Sequence, residues 1–362
     1  MPFINDMLDE LGRAEESGKQ ANAPAPASDG PGYVSRFTFN VAPIVARLRE
    51  RILGQDEAID AIESVLKVVR ADITDRDRPL FVCLFLGPTG VGKTESIRIL
   101  AEAIHGDRDS FCRVDMNTLS QEHYAAALTG APPGYVGSRE GSTLFDEEKV
   151  AGSFSKPGIV LFDEVEKASP QVIQALLNVF DSGFMRVASG EKVIDFRNAM
   201  IFMTSNIGAR EIQRYSAGEG DTQWDRILRL WIRRRPVRHV IEKKLLEKFE
   251  PEFVNRIDNV SIFNWIEGVT VRNVVELEIS RLNARLSDHG CRVALDSSTV
   301  DFLADRGFDR RFGARALKRA VRHYVEVPLA ELLIADGLAG NDRSVVYQGV
   351  VGDGEIRFVA DK

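Results

Sequence analysis

A glycine-rich segment that ends in lysine and threonine carries the clearest chemical signal in the chain. The residues "GPTGVGKT" (87–94) fit the spacing G-x-x-x-x-G-K-[ST], between the apolar run "LFVCLFL" and the helical pattern "ESIRILAEAIHG". In such a loop, backbone N–H groups surround phosphates, and the start of the following helix adds partial positive charge. The segment therefore predicts a nucleotide site formed by Gly87, Pro88, Thr89, Gly90, Val91, Gly92, Lys93 and Thr94. Lys93 is expected to contact the β and γ phosphates, and the Thr94 hydroxyl to bind Mg²⁺.

Two adjacent carboxylates follow a second apolar run, "GIVLF" (158–162). Carboxylates at the end of a buried strand are costly unless they meet a cation or water there. Asp163 is predicted to complete the Mg²⁺ shell, and Glu164 to orient or activate the attacking water. The next apolar run, "AMIFMT", ends in "SN", which places Asn206 at the same predicted sheet edge. An amide there can hold the water or the γ phosphate.

These residues require a scaffold that brings several strand ends together. Apolar runs alternate with helical patterns from about residue 41, which predicts an α/β fold with a parallel sheet covered by helices on both faces. The candidate strands are 80–86, 111–116, 158–162, 199–204 and 260–263. After about residue 266, helical patterns (271–288, 298–305, 313–335) and the short segments "CRVAL", "SVVYQGV" and "EIRFVA" predict a smaller α+β domain. The predicted divisions are 1–40, 41–265 and 266–362.

The first division differs in composition from the rest. Phe3, Met7, Leu8 and Leu11 recur at helical spacing, and the following "SGKQANAPAPASDGPG" has the composition of a disordered linker. Two interpretations of residues 1–16 stand side by side. The segment is either a frayed terminus or a docking peptide whose apolar stripe fits a groove on an adaptor.

Composition excludes several function classes for the 362-residue chain. Its net charge of −7 gives no general positive field for nucleic acid or an anionic membrane. Cys83, Cys112 and Cys291 stand far apart, which suits a reducing compartment and neither a disulfide framework nor a metal cluster. The acidic start is unlike a signal peptide, and no apolar run approaches the roughly 18 residues that span a bilayer. The sequence predicts a soluble, cytoplasmic protein without a membrane partner, in which only a local basic patch could bind nucleic acid.

The motifs together resemble the AAA+ proteins of the Clp family, above all the second ATPase ring of ClpA-, ClpB- and ClpC-type unfoldases. The resemblance extends over roughly residues 50 to 335. It is carried, in order, by "RILGQDEAIDAI", "ITDRDRP", "LFLGPTGVGKTE", "GAPPGYVG", "VLFDEVEKASP", "DFRNAMIFMTSNIGAR", "PEFVNRID" and "FGARALKRAV". It implies an AAA+ nucleotide-binding domain (41–265) followed by a Clp-type lid domain (266–362).

The resemblance also implies roles for residues outside the phosphate loop. Ile52, Leu53, Gly54 and Gln55 would border the adenine. Arg256 would be an arginine finger inserted into the neighbouring subunit's site, the alternative being a surface ion pair with Asp258. Arg315 would be a sensor that reaches the γ phosphate from the lid, the alternative being a solvated helix charge. An arginine finger acting in trans implies a ring, a homohexamer as in the family.

The loop "GAPPGYVG" (130–137) points to a protein substrate. In Clp relatives the corresponding loop lines the axial channel, so Tyr135 and Val136 would grip a threaded polypeptide. An aromatic ring offers apolar contact to almost any side chain, and the flanking glycines allow the loop to swing. The implied function is an ATP-driven unfoldase or remodelling motor.

Three departures from the family bear on partners. The chain has one ATPase module, where ClpA, ClpB and ClpC have two. The stretch 213–224 carries no Ile-Gly-Leu or Ile-Gly-Phe tripeptide, which argues against docking to a ClpP-like protease. The arginine-rich stretch 225–244 is either a solvated helix or a basic patch. It keeps two alternatives open, a nucleic-acid-remodelling factor and a nucleotide-dependent assembly factor.

Overall fold

A computed structural model of the protein describes most of the chain. The described residues are 35–121, 144–186, 193–209, 211–212, 235–266, 268–309, 313–335 and 345–361. The predictions for residues 1–16, for Tyr135 and Val136, for the stretch 213–224 and for residues 225–234 of the arginine-rich stretch fall outside these ranges.

A five-stranded parallel sheet forms the centre of the larger part of the chain. Its strands are β1 (Phe81–Leu86), β2 (Cys112–Asp115), β3 (Gly158–Asp163), β6 (Ala199–Ser205) and β7 (Asn259–Ile262), in the order β2-β3-β6-β1-β7. All four strand pairings are parallel. The five predicted strands and the parallel sheet are therefore confirmed. A short hairpin, β4 (Phe184–Arg186) with β5 (Val193–Asp195), was not predicted, since three-residue strands give almost no periodic signal.

Helices cover both faces of this sheet, as predicted. They are α1 (Val41–Arg51), α2 (Asp56–Arg70), α3 (Lys93–His105), α4 (Glu147–Ala151), α5 (Pro170–Ser182), α6 (Arg235–Lys248) and α7 (Pro251–Asn255). Alternate residues of β1 enter different cores: Phe85 packs with α1, α2 and α3, while Leu84 packs on the side of α5. On the first side, the ring of Phe85 lies 5.5 Å from that of Phe202 and 5.0 Å from that of Phe263. This double burial explains the near-continuous apolar strands.

The C-terminal part is a smaller α+β unit. It contains α8 (Val269–Leu286), β8 (Cys291–Leu295), α9 (Ser297–Gly307), α10 (Ala314–Val321), α11 (Val327–Ala335), β9 (Val345–Gly352) and β10 (Glu355–Asp361). The strand order is β10-β9-β8, with β9 antiparallel to β10 and parallel to β8. The single helix predicted over 313–335 is interrupted by a π-helical turn, Arg322–Glu326. Pro328 lies two residues beyond the end of that turn; because it has no N–H to donate to residue 324, the regular α-helical bonding cannot continue there.

The sheet fixes where chemistry can take place. Strands β1, β3 and β6 run side by side and end at Leu86, Asp163 and Ser205, so the segments that follow them meet at one edge. Gly87 leaves β1 with a φ of +143°, and a Cβ there would lie 2.3 Å from the carbonyl oxygen of Phe263. Glycine is thus required at the first position of the phosphate loop. Within the described ranges, no helix is long and apolar enough to span a membrane.

Candidate functional site

Lys93 is the first residue of α3 and turns back into the loop that precedes it. Its Nζ donates to the carbonyl oxygens of Gly87 at 2.5 Å and Pro88 at 2.8 Å, and to Oδ1 of Asn206 at 3.0 Å. Burial lowers the pKa of Lys93 to about 8, and the nearby carboxylates, Glu166 first, act in the opposite direction. The ammonium is therefore held by neutral acceptors that anionic phosphate oxygens can replace with stronger, charge-assisted bonds.

Asp163 ends β3 with both carboxylate oxygens engaged. Oδ1 accepts a hydrogen bond from the hydroxyl of Thr204 at 2.5 Å, and Oδ2 accepts one from the guanidinium of Arg113 at 2.6 Å. Thr204 lies on the neighbouring strand β6, and Arg113 lies on β2, the other neighbour of β3. The carboxylate predicted to hold a metal is thus positioned from both sides.

Glu164 has a left-handed backbone, with φ +60° and ψ +52°. For a residue with a Cβ this conformation costs about 1–2 kcal/mol, so the surroundings must hold it. The same Thr204 hydroxyl that donates to Asp163 accepts a bond from the Glu164 N–H at 3.0 Å. The sharp turn leaves both consecutive carboxylates lining the same cavity. Sequence reasoning missed Thr204; its signal is a hydroxyl near the end of an otherwise apolar strand.

Asn206 lies beside Lys93, at the sheet edge predicted from the sequence. Its backbone N–H donates to Oε1 of Glu166 at 3.1 Å, while its side-chain oxygen accepts from Lys93. Oε2 of Glu166 is buried and has no hydrogen-bond partner. Glu166 therefore fixes the backbone of Asn206, a role that sequence reasoning did not assign.

The residues expected to border an adenine separate into two groups. Ile52 and Leu53 line the cavity, opposite apolar side chains that include Ile266 and Val274. Gln55 does not line it: the side chain is 1% exposed, and its amide forms two hydrogen bonds with the backbone of Asn264, at 2.9 and 2.7 Å. Gln55 thus joins the segment before α2 to the segment after β7.

The corner before α10 rests directly on the phosphate loop. The backbone N–H of Ala314 donates to the carbonyl oxygen of Gly90 at 3.0 Å, and Arg315 lines the cavity. Gly313 has a φ of +52°, and a Cβ there would lie 3.0 Å from the carbonyl oxygens of Thr89 and Gly90. Arg315 is therefore brought to the phosphate loop by a corner at which a side chain on residue 313 would be strained and closely packed.

Arg256, the predicted arginine finger, lies outside the cavity of its own chain. It follows α7, and its guanidinium forms an ion pair with Asp181 of α5. The alternative partner, Asp258, is wrong: its carboxylate accepts from Arg78, with both oxygens at 2.9 Å, and from the N–H of Val82 at 2.8 Å. Because Asp258 is held by β1 and the segment before it, Arg256 takes its partner from α5.

The cavity itself has a volume of about 530 Å³, within the range of nucleotide-sized sites. Basic side chains predominate in its lining: Arg51, Lys93, Arg98, Arg113, Arg281, Arg315 and Lys318, against Glu95, Asp115, Asp163, Glu164 and Glu278. Thr94 and Asp163 supply the oxygen ligands that Mg²⁺ prefers. Across the described ranges, no group of three or more His, Cys, Asp or Glu could hold a metal by itself. The residues fit Mg²⁺ that takes its remaining ligands from a nucleotide and water.

Comparisons with known proteins identify the family of the two parts of the chain. Residues 78–260 match the family model "AAA domain (Cdc48 subfamily)", and residues 268–346 match "C-terminal, D2-small domain, of ClpB protein". The chain is 53% identical to the ATP-dependent protease ATP-binding subunit-like protein AmiB of Pseudomonas aeruginosa, over 99% of this chain and 100% of that protein. A Rhodococcus erythropolis protein of similar name is 40% identical, with 98% of both chains covered. Identity to the ATP-dependent Clp protease ATP-binding subunit ClpC of Staphylococcus aureus is 38%, over 83% of this chain and 36% of ClpC.

Proposed function

Since this chain belongs to the Clp family of AAA+ ATPases, we propose that it is a ring-forming motor that uses ATP to thread and unfold protein substrates. The observation that carries this proposal is the position of Arg256. The cavity holds Lys93, Asp163, Glu164 and Asn206, whereas Arg256 lies outside it against Asp181. An arginine that stabilises phosphoryl charge from outside its own site must act on a neighbouring copy, and a closed ring of six gives every site such a neighbour.

Within one site, the residues divide the work of hydrolysis. Lys93 exchanges its carbonyl acceptors for phosphate oxygens. The Thr94 hydroxyl and Asp163 would hold Mg²⁺, which would neutralise charge on the phosphates. Glu164 takes the proton of the attacking water, and its turn is fixed by Thr204. Asn206, kept beside Lys93 by Glu166, orients the water or the γ phosphate.

The lid couples this site to movement. Ala314 is hydrogen-bonded to Gly90, and Arg315 faces the same cavity. Loss of the γ phosphate removes a partner of Arg315 and shifts the corner that rests on the phosphate loop. The lid then rotates against the sheet, and in a ring each lid carries its neighbour with it.

The substrate contact is assigned to Tyr135 and Val136 of the segment 130–137. Two facts support this assignment: the sequence of the segment, and its position in the chain between the phosphate loop (87–94) and the carboxylates Asp163 and Glu164. We further propose that residues 1–16 serve as a docking segment for an adaptor and that the motor works in the cytoplasm. The relatives' names refer to protease subunits, but the segment 213–224 lacks the tripeptide, so we propose function without a ClpP-like protease.

The proposed substrate class is tested by unfolding of a fluorescent protein that carries an unstructured tail. Tyr135→Ala is expected to abolish ATP-dependent loss of fluorescence while leaving basal ATP hydrolysis within about twofold, because no residue predicted to bind phosphate, Mg²⁺ or the attacking water belongs to the segment 130–137. Tyr135→Phe retains the ring and is expected to retain unfolding. Stimulation of hydrolysis by DNA or RNA, with no effect of Tyr135→Ala on unfolding, would instead support the nucleic-acid alternative.

A further inference from the structure

We propose that Arg113 is a positioning residue that competes with the divalent cation for Asp163. In the structure its guanidinium occupies Oδ2 of this carboxylate at 2.6 Å. The inference rests on the magnesium site proposed above. It assigns to Arg113 the task of balancing the charge of Asp163 until a metal–nucleotide complex arrives and displaces it.

The two partners of Asp163 differ in how easily they can leave. Thr204 is buried within the sheet at 1% exposure. Its hydroxyl forms two hydrogen bonds, donating to Oδ1 of Asp163 and accepting from the N–H of Glu164. Arg113 has a long side chain that is 45% exposed, on β2 at the edge of the sheet. The oxygen that a metal can gain is therefore the one that Arg113 holds.

Charge balance explains why such a partner is useful. The side chain of Asp163 is only 12% exposed, and a carboxylate so far from water is costly without a cation. Arg113 supplies that cation in the metal-free chain. Mg²⁺ keeps several waters and binds through few protein oxygens together with phosphates, so it displaces the arginine most readily when a nucleotide provides ligands as well.

A displaced Arg113 stays within the site. Asp115, two residues further along β2, lies on the same exposed side of the strand and also lines the cavity. It is directly opposite Asp163 in the strand register, and one of its oxygens accepts a bond from the N–H of Asn117 at 2.9 Å. When the guanidinium of Arg113 leaves the carboxylate of Asp163, the carboxylate of Asp115 is therefore a nearby alternative partner.

Metal binding tests the proposal without any turnover. Free Mn²⁺ is followed by electron paramagnetic resonance while Mn²⁺ is titrated into the chain saturated with a non-hydrolysable ATP analogue. Arg113→Gln removes the competitor and is expected to tighten the Mn²⁺ dissociation constant roughly two- to fivefold, the range of one partly exposed ion pair. Arg113→Lys keeps the charge and loses the planar guanidinium. Its Mn²⁺ dissociation constant is expected to lie between those of the wild type and of Arg113→Gln.

A matched control and a second readout make the outcome decisive. Arg197→Gln removes an arginine of similar exposure from its ion pair with Asp195, away from the cavity, and is expected to leave Mn²⁺ binding unchanged. Thermal melting of Arg113→Gln should fall below wild type without metal and nucleotide, and the difference should shrink when both are bound. Unchanged or weaker Mn²⁺ binding in Arg113→Gln would overturn the proposal. Because neither readout requires a ring or a protein substrate, failure of the threading function would not alter this result.

Discussion

The Lys93 ammonium donates a hydrogen bond to the side-chain oxygen of Asn206 at 3.0 Å, which joins the phosphate loop after β1 to the end of the neighbouring strand β6. Two further bonds run to carbonyl oxygens of the loop itself. The parallel sheet makes this contact possible, since β1 and β6 are adjacent and end at the same edge. The residue proposed to contact phosphate and the residue proposed to orient water are thereby connected by a direct hydrogen bond.

The pKa of Lys93 gives ATP binding a pH dependence. Burial lowers this pKa to about 8, so the ammonium is charged below that pH and loses its proton above it. Phosphates favour the charged form, and ATP binding at about pH 8.5 to 9 should therefore take up a proton and weaken as the pH rises. Calorimetric titration in buffers of different ionisation enthalpy measures the uptake. Lys93→Arg, which stays charged, should remove the uptake; equal uptake in this variant would contradict the assignment.

The Thr204 hydroxyl is expected to matter for both hydrolysis and folding. Thr204→Val keeps the shape and removes the group that bonds Asp163 and the N–H of Glu164. Hydrolysis should fall roughly 10- to 100-fold, as for other partners of metal ligands. The free energy of unfolding, measured in urea, should fall by about 1–3 kcal/mol, because a buried donor is left unpaired. Thr204→Ser keeps the hydroxyl and should retain most of the activity; loss in both variants alike would show that the hydroxyl is not the cause.

Gly313→Ala tests the contact between the lid corner and the phosphate loop. The added Cβ would lie 3.0 Å from the carbonyl oxygens of Thr89 and Gly90, at a φ of +52°. Nucleotide affinity, measured by fluorescence of a labelled ADP, is expected to fall several-fold, and stability by about 1–2 kcal/mol.

The control for that substitution is Gly290→Ala. Gly290 has a φ of +66°, but a Cβ added there would have no neighbouring atom within 4 Å. The Gly290→Ala variant should lose about as much stability as Gly313→Ala and should retain the nucleotide affinity of the wild type. Equal nucleotide binding by both variants would mean that the corner does not control the phosphate loop.

Local signals in the sequence predicted the scaffold and located several of the residues that line the candidate site. The five apolar runs and the phosphate loop depend on residues close in sequence, so pattern alone located the strands and Lys93. Thr204, Glu166 and Arg113 act through partners on other strands or in adjoining turns, and the local sequence does not identify those partners. Gln55 is a residue for which the sequence motif suggested a contact that the structure does not show. The motif suggested a contact with the nucleotide, whereas the side-chain amide forms hydrogen bonds with the backbone of Asn264, 209 residues away.

Whether Arg256 completes the site of a neighbouring subunit decides whether the motor works as a ring. Glu164→Gln and Arg256→Ala are each expected to abolish most ATP hydrolysis in a ring of one kind. When the two variants are co-expressed in equal amounts, an Arg256→Ala subunit beside a Glu164→Gln subunit forms an intact site, and random mixing makes about a quarter of the sites intact. Hydrolysis by the mixed rings should therefore recover toward about a quarter of the wild-type rate. Mixed rings with no more activity than either variant alone would contradict an arginine finger acting between subunits.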